Sequence, residues 1–240
     1  MFAIYNMKLL GIVLARKNSQ RLKNKHHRVI QNKKMINHTF DLLNKSKNFF
    51  ANIIVSTDDK KILDSKKKYT KFIFLKRPKY LSLNKTKSYQ VIRYTYKWYL
   101  QKYGNIDGIF IFQPTSPLRT KLTISKIINL FKKNKMKRSI ISVSPISEHP
   151  EWMLKIKKNK IIPNVNFKSF SNMSQRLEKL YKINGLGYLI TPKDIVSQKS
   201  LIPENSIPSI SSSQFENIDI DTKDDLIKAR LFFGYMNKKK

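Results

Sequence analysis

The sequence contains no cysteine, only six glycines, and 15 acidic residues against 49 basic ones over a length of 240. The absence of cysteine excludes disulfide bonds, thiolate catalysis and cysteine-bound zinc. The few glycines form neither a Walker loop nor a dinucleotide-binding fingerprint. The four histidines lack the spacing of metal ligands, and no apolar run reaches the roughly 20 residues that cross a bilayer. Any chemistry that the chain performs therefore depends on oxygen and nitrogen groups.

The formal net charge of +34 comes mainly from 40 lysines, because the sequence has only nine arginines. A charge of this size is typical of proteins that bind nucleic acid. The lysines are, however, distributed along nearly the whole chain, and asparagine and isoleucine are abundant as well, which is typical of an AT-rich coding sequence. We therefore attribute most of the charge to codon usage and keep a basic nucleic-acid-binding protein as the alternative class.

Apolar segments alternate with amphipathic ones, and this pattern predicts an α/β fold with a mostly parallel sheet flanked by helices. The alternation stops after residue 144 and returns near residue 204, so we expect a main α/β domain over 1–144 plus 204–240 and an inserted subdomain over 145–203. The predicted strands are 8–14, 52–56, 71–75, 108–112 and 139–144. The predicted helices are 35–44, 59–68, 89–103, 123–134 and a last helix that begins at Thr222, whose capping box is completed by Asp225.

The first predicted strand ends in a polar loop that carries five cations between Arg16 and Lys25. Ligands of open α/β sheets bind at the carboxyl ends of the strands. Arginine and lysine at that edge can bind a polyphosphate through charge-assisted hydrogen bonds. A core strand followed by a solvated basic loop explains the same spacing equally well, so the spacing alone leaves both interpretations open.

Two further segments carry candidate functional groups. Asp219 and Asp221 alternate with Ile218 and Ile220, so we expect a strand with both carboxylates on one face. Such a pair suits Mg²⁺, which takes one or two protein carboxylates and fills its shell with phosphate and water. Acidic residues that merely precede a helix are the alternative interpretation. The segment 113–119 has two prolines, and this rigid loop either binds substrate or only satisfies its own backbone.

Four blocks of the sequence resemble the acylneuraminate cytidylyltransferases, in the same order and over nearly the whole chain. They are the loop at 14–25, IIVSTD at 53–58, QPTSPLR at 113–119 and NIDID at 217–221. The resemblance implies a Rossmann-like nucleotidyltransferase fold, in which 145–203 is a dimerisation subdomain that completes the partner's sugar pocket. It implies that CTP reacts with a sialic acid or a related nonulosonic acid, such as legionaminic or pseudaminic acid, to give the CMP-sugar and pyrophosphate.

The resemblance also implies roles for individual residues. Mg²⁺ would be bound by Asp219 and Asp221, and catalysis would depend on Arg16, Lys25 and Asp221. The nucleotide would be bound by Ala15, Arg16, Ser19, Lys25, His26, Arg77 and Ser88. The sugar would be bound by Gln113, Arg119 and Asn184.

The chain departs from the family pattern at two of the nucleotide positions. His26 stands where asparagine usually follows the late lysine, and Asn84 stands where aspartate is usual. The apolar segment 8–15 is too short for a signal peptide and is followed at once by Arg16, so we expect a cytoplasmic protein. The resemblance implies that this protein is a homodimer. Met7 competes with Met1 as the start, because residues 1–6 form no clear element.

Overall fold

The computed structural model describes residues 7–164, 177–198 and 200–238. Within these ranges seven strands form one central sheet, and four short strands form two separate hairpins. The strands, in chain order, are β1 (Leu9–Ala15), β2 (Val29–Ile30), β3 (Lys33–Lys34), β4 (Asn52–Thr57), β5 (Ile73–Lys76), β6 (Gly108–Phe112), β7 (Ile140–Pro145), β8 (Leu154–Lys157), β9 (Lys160–Pro163), β10 (Tyr181–Ile190) and β11 (Ile207–Ile210).

Helices connect most of these strands, and several short 3₁₀ turns lie between them. The first five predicted strands and first four predicted helices are confirmed with bounds within two residues, although the predicted helix at 59–68 is part α-helix and part 3₁₀ turn. No described helix is long and apolar enough to cross a membrane. The helices are α1 (Met35–Lys45), α2 (Lys60–Leu63), α3 (Ser88–Tyr103), α4 (Lys121–Lys133), α5 (Pro192–Ser197) and α6 (Lys223–Lys238).

The central sheet is mostly parallel, with the strand order β11-β7-β10-β6-β1-β4-β5. Strand β1 lies near its middle and pairs in parallel with both β4 and β6, whereas β10 is antiparallel to β6 and β7. A strand covered on both faces reads as a continuous apolar run, which explains the sequence Leu-Leu-Gly-Ile-Val-Leu-Ala of β1. The parallel pairing brings the loops after β1, β4 and β6 to one edge of the sheet.

The hydrophobic core lies on both faces of the sheet. Helices α1 and α4 cover one face, where Phe40 and Phe131 pack in the same cluster as Phe110 of β6. Helices α3 and α5 cover the other face, where Ile92 and Ile195 pack with the alternate strand residues. Each buried side chain of this size stabilises the fold by about 1.5–3 kcal/mol relative to an exposed one, so these two layers fix the direction of the strand ends.

The segment before α6 differs in part from its prediction. Residues 217–221 form no strand of a sheet in the described chain, and the Ile220 amide donates a hydrogen bond to the Thr115 carbonyl at 2.8 Å. The predicted inward direction of Ile220 is nevertheless confirmed, because Ile220 is fully buried against Leu226 and Leu22. The capping box at Thr222 is present, and the hydroxyl accepts a hydrogen bond from the Asp225 amide at 3.2 Å. The expected strand is therefore wrong, but both aspartates still lie beside the sheet.

The segment 145–203 does not form a unit apart from the sheet. Its later part supplies β10, which lies in the sheet between β6 and β7. Its earlier part forms the β8–β9 hairpin outside the sheet, and residues 165–176 lie outside the described residues. Among the described residues of this segment, the β8–β9 hairpin lies outside the central sheet, whereas β10 is hydrogen-bonded within it on both sides.

A glycine in β10 allows the helix layer to approach the sheet. A Cβ added at Gly187 would lie 2.7 Å from the Phe110 Cζ atom and 2.8 Å from the Ile127 Cδ1 atom, both buried core side chains. We expect Gly187→Ala to lower the free energy of unfolding by about 1–3 kcal/mol, measured by urea denaturation, because the core must be overpacked to accept the methyl group. Gly234→Ala in α6 is the control, since its added Cβ has no neighbour closer than 3.7 Å. Equal stability of the two variants would contradict this account of the packing.

Candidate active site

A cavity of about 440 Å³ lies at the edge of the sheet where β1 and β6 end. Its walls come from the loops after β1, β5 and β6, from the first turn of α3 and from the segment before α6. The cations outnumber the carboxylates in the lining, so the cavity suits an anionic ligand such as a polyphosphate. The charged lining residues are Arg16, Arg21, Lys25, Arg77, Asp219 and Asp221.

The loop after β1 supplies three of these cations. Lys25 donates from Nζ to the Asp221 Oδ1 atom at 2.7 Å, and the Arg21 Nη2 atom lies 2.6 Å from the Asp221 Oδ2 atom. Arg16 reaches the other side of the cavity, where its Nη1 atom donates to the Leu83 carbonyl at 2.9 Å. Ser19 lies in the cavity wall on the same loop. The loop predicted to bind a polyphosphate is therefore brought to the cavity together with the predicted metal carboxylates.

The carboxylate pair fits a hard divalent cation. Burial raises the pKa of Asp219, and the neighbouring Asp221 carboxylate adds to this effect, whereas a hydrogen bond from Thr115 opposes it. A cation between the two groups would relieve both the repulsion and the cost of burying charge. The described residues contain no group of three or more acidic or histidine side chains that could hold a metal ion. Mg²⁺ commonly binds one or two protein carboxylates and leaves its other coordination positions to phosphate and water.

A short 3₁₀ turn, Lys25–His27, directs Lys25 and His26 towards the cavity. The His27 Nε2 atom lies 2.7 Å from the Asp59 Oδ2 atom. Asp59 also caps α2, because its Oδ1 atom accepts a hydrogen bond from the Lys61 amide at 2.9 Å. The turn is thus fixed to the end of β4, and His27 has a structural contact that the sequence analysis did not assign.

The cavity lining also contains two buried polar side chains, each with an atom that has no described hydrogen-bond partner. Burial lowers the pKa of His26 to about 3, so its imidazole is neutral, and its Nδ1 atom is buried without a partner among the described residues. Arg77 donates from Nη2 to the Ser56 carbonyl at 2.9 Å, and its Nε atom is buried without a described partner. Burial lowers the pKa of Arg77 to about 10, which leaves it charged at neutral pH. Ser88, at the first turn of α3, completes this part of the lining.

The loop after β6 lies against an irregular stretch of β10. The β10 pairing with β7 shifts register between Ile183 and Tyr188, and Gly185 within that bulge has φ of 72°. A Cβ added at Gly185 would lie 2.8 Å from the Ser116 Oγ atom and 3.1 Å from the Gln113 Oε1 atom. Gly185 is thus required for the close approach of the bulge to the loop. Gln113 itself lines the cavity as predicted.

Two predicted sugar ligands are not part of the cavity wall. Arg119 is buried, and its Nη2 atom donates to the carbonyls of Gln113 and Gly185, each at 3.0 Å. Its Nε atom donates to the Leu186 carbonyl, so the guanidinium joins the β6 loop to the β10 bulge. Asn184 is also buried, and its Nδ2 atom donates to the Asn217 Oδ1 atom at 3.0 Å. Both side chains hold backbone in place because the bulge leaves carbonyl and amide groups that need partners.

Ala15 is the third predicted ligand without a place in the lining, because it is fully buried at the end of β1. The other predicted residues meet in the cavity. The sequence analysis missed Arg21, since nothing in the spacing separated it from Lys17 and Lys23 of the same basic loop. Nothing in the sequence assigns a role to Gly185, and only its contact with the β6 loop shows its place beside the site.

Comparison with known sequences identifies similar proteins over most of the chain. Residues 10–170 match the family model described as Cytidylyltransferase. The chain is 32% identical over 221 residues to the CMP-N,N'-diacetyllegionaminic acid synthase of Legionella pneumophila, covering 90% of this chain and 92% of that protein. It is 25% identical over 237 residues to the N-acylneuraminate cytidylyltransferase of Streptococcus agalactiae, covering 98% of this chain but 56% of that protein. The chain therefore spans about half the length of the streptococcal relative and nearly all of the Legionella one.

Comparison with solved structures gives the same fold. The chain superposes on a CMP:2-keto-3-deoxy-manno-octonic acid synthetase complexed with CTP, with a TM-score of 0.66 and 14% identity, over 95% of this chain and 99% of that one. It superposes on a 4-diphosphocytidyl-2C-methyl-D-erythritol synthase with a TM-score of 0.68 and 10% identity, with the same coverage. The predicted Rossmann-like nucleotidyltransferase fold is confirmed.

The lowered pKa of His26 predicts a pH dependence of stability. As the pH falls from 6.5 towards 3, the unfolded chain binds a proton that the folded chain cannot accept, so folding loses about 1.4 kcal/mol per pH unit from this group. We expect His26→Asn to remove this loss. When the pH is lowered from 8 to 5, the unsubstituted protein should lose about 2 kcal/mol more of its free energy of unfolding than the variant does. Urea denaturation of both proteins at both pH values measures this difference. Parallel pH profiles of the two proteins would show that His26 is not buried in its neutral form.

Proposed function

The chain belongs to the cytidylyltransferase family, and we propose that its cavity binds CTP and a nonulosonic acid and joins them into a CMP-sugar. The protein is a nucleotidyltransferase. The observation that carries the proposal is the meeting of the cationic β1 loop, the Asp219–Asp221 pair and the polar Gln113 loop in one cavity. These three groups suit a polyphosphate, a divalent cation and a polyol, respectively.

In this reaction the anomeric hydroxyl of the sugar attacks the α-phosphorus of CTP. A new oxygen–phosphorus bond forms, the bond to the bridging oxygen of the β-phosphate breaks, and pyrophosphate leaves while the hydroxyl proton passes to solvent. We assign to Arg16 and Lys25 the stabilisation of negative charge on the triphosphate, since both cations face the cavity. Ser19 adds a hydrogen bond from the same loop. Positioning and electrostatics are the expected sources of the rate enhancement.

We assign Mg²⁺ to Asp219 and Asp221. When bound, the ion would neutralise phosphate charge and lower the pKa of the attacking hydroxyl. The carboxylate of Asp219 supports the assignment because burial raises its pKa, and Asp221 supports it because its oxygens already bind cationic groups. These residues would hold the ion at the sheet edge, next to the loop that binds the triphosphate.

The nucleoside is assigned to the end of the cavity formed by Arg77, His26 and Ser88. A neutral imidazole can donate one hydrogen bond and accept one, and a guanidinium only donates, so the pair suits the mixed edge of a pyrimidine. Apolar side chains of Leu81 and Val91 line the same end and can contact the ring. The presence of both side chains in the cavity lining supports this assignment.

The acceptor sugar is assigned to the part of the cavity next to Gln113, whose amide can donate to and accept from hydroxyl groups. Arg119 and Asn184 support this part of the cavity, because Arg119 donates to the Gln113 and Gly185 carbonyls and Asn184 accepts from the Leu186 amide. The similar Legionella protein is named for N,N'-diacetyllegionaminic acid and the streptococcal one for N-acylneuraminate. The identity and the share of the relative's own length that is covered are both higher for the Legionella protein, so we rank legionaminic acid alongside sialic acid as the acceptor.

We further propose that the protein is a homodimer whose interface includes the β8–β9 hairpin. Residues directly opposite in the hairpin share a face, so Leu154, Ile156, Ile161 and Pro163 form an apolar face. The side chains of Ile156 and Ile161 are 77% and 63% exposed, whereas the other face is mostly lysine. A second copy of the chain would cover this apolar face.

CTP as a substrate also supports the cytoplasm as the location of the protein. The paired carboxylates in the cavity disfavour nucleic acid as its ligand.

The first test of the function is pyrophosphate release by the purified protein with CTP and Mg²⁺. We expect release with one of N-acetylneuraminic, legionaminic or pseudaminic acid and none when ATP replaces CTP. Asp221→Asn should reduce the rate by about 100-fold, the upper end of the loss seen when a metal ligand's supporting group is removed, because one of two proposed metal ligands is lost. Release with none of the three acids would contradict the proposed function, and undiminished activity of Asp221→Asn would contradict the metal assignment.

The dimer is tested by replacing the apolar face of the hairpin. The double variant Ile156→Ser with Ile161→Ser should be monomeric in sedimentation equilibrium at micromolar concentration, because the apolar area that a second copy would bury is lost. Lys157→Gln on the opposite face is the matched control and should remain dimeric. An unsubstituted protein that is monomeric, or a double variant that stays dimeric, would contradict the interface.

A further inference from the structure

Both carboxylate oxygens of Asp221 are occupied by side-chain cations. The Lys25 Nζ atom is 2.7 Å from Oδ1, and the Arg21 Nη2 atom is 2.6 Å from Oδ2. The Asp221 side chain is only 27% exposed, so little of it remains open to another partner. A divalent cation that bonds to Asp221 therefore competes with these two cations for the carboxylate.

The two cations differ in how firmly they are held. The Lys25 side chain is 13% exposed and belongs to the 3₁₀ turn that the His27–Asp59 contact fixes to the end of β4. The Arg21 side chain is 69% exposed, and its contact with Asp221 is the one ion pair that it forms among the described residues. Exposed ion pairs of this kind contribute little free energy, so Arg21 can leave Asp221 at low cost.

We propose that Arg21 is a positioning residue that binds Asp221 in the absence of nucleotide and moves to the nucleotide's phosphates when the metal ion binds. This inference rests on the proposed function. Arg21 already lines the cavity that receives the triphosphate, so a rotation of its long side chain is sufficient. The exchange keeps the charge of Asp221 compensated in both states, first by the guanidinium and then by the metal ion.

The exchange has a thermodynamic consequence. Without nucleotide, a metal ion competes with Arg21 for Asp221 and binds more weakly than the two carboxylates alone would allow. With nucleotide, the phosphates take up the guanidinium and remove the competition, so metal and nucleotide increase each other's affinity. A merely structural role for Arg21 would not make metal affinity depend on its charge.

The test measures Mn²⁺ binding to the nucleotide-free protein by the loss of the free Mn²⁺ signal in electron paramagnetic resonance. We expect Arg21→Gln to bind Mn²⁺ about two- to fivefold more tightly than the unsubstituted protein, as expected for loss of one exposed ion pair. Arg21→Lys should restore most of the competition. Lys23→Gln is the matched control for net charge, because Lys23 is an exposed cation of the same loop outside the cavity lining.

The second arm measures CTP affinity by calorimetry without metal and with Mn²⁺. We expect Arg21→Gln to weaken CTP binding and to reduce the factor by which Mn²⁺ improves it. In an Asp221→Asn background the effect of Arg21→Gln on Mn²⁺ affinity should disappear.

Equal Mn²⁺ affinity of Arg21→Gln and Lys23→Gln would overturn the proposal, as would a gain that persists without the Asp221 carboxylate. Absence of nucleotide-independent Mn²⁺ binding to Arg21→Gln would overturn it as well. Failure of the proposed function is distinguishable, since it would be seen as absent pyrophosphate release by the unsubstituted protein whatever the Mn²⁺ titrations give.

Discussion

The parallel pairing of β1 with β4 on one side and β6 on the other is the constraint on which the site depends. Parallel strands in register end at the same edge, and the chain after each strand must leave the sheet there. The basic loop at 16–25, the Asp59 cap that holds the His27 turn, and the Gln113 loop therefore meet although they are far apart in sequence. The hydrophobic layers on the two faces fix this edge, because each strand is buried on both sides.

A second constraint comes from β10, which among the described strands of the central sheet is the one that is antiparallel to both of its neighbours. Strand β10 enters between β6 and β7 and forms a bulge beside the cavity. Three of the backbone carbonyls in and around that bulge are taken up by the guanidinium of Arg119, which lies over the Phe112 ring at 5.2 Å. A buried arginine that satisfies backbone groups stabilises an irregular conformation, which would otherwise leave acceptors without donors. The residue that resembles a ligand in the sequence is thus part of the scaffold.

The electrostatics of the cavity separate its two ends. Beside Asp219, the Asp221 carboxylate is in contact with two cations, Lys25 and Arg21. Around His26 and Arg77 burial dominates, so the imidazole is neutral and its Nδ1 atom has no described partner. Where charged side chains contact each other, the phosphates and metal ion of a metal polyphosphate can replace their ion-pair partners. Buried neutral groups suit a ligand that is recognised by hydrogen bonds. The division matches the two ends of a nucleoside triphosphate.

The sequence by itself determined the elements and the identity of most candidate ligands. Apolar runs such as that of β1 and the helical spacing in α3 depend on local burial, so their bounds could be predicted to within two residues. The loop cations, the paired aspartates and Gln113 could be predicted because their residue types bind phosphate, metal and polyol wherever a strand end presents them. Tertiary structure alone decided that β10 joins the sheet, that 217–221 pairs with no strand of the described chain, and that Arg119 and Asn184 face backbone while Arg21 faces Asp221. The reason is physical: side-chain direction depends on which backbone groups are left unpaired nearby, and that is known only when segments distant in sequence have met.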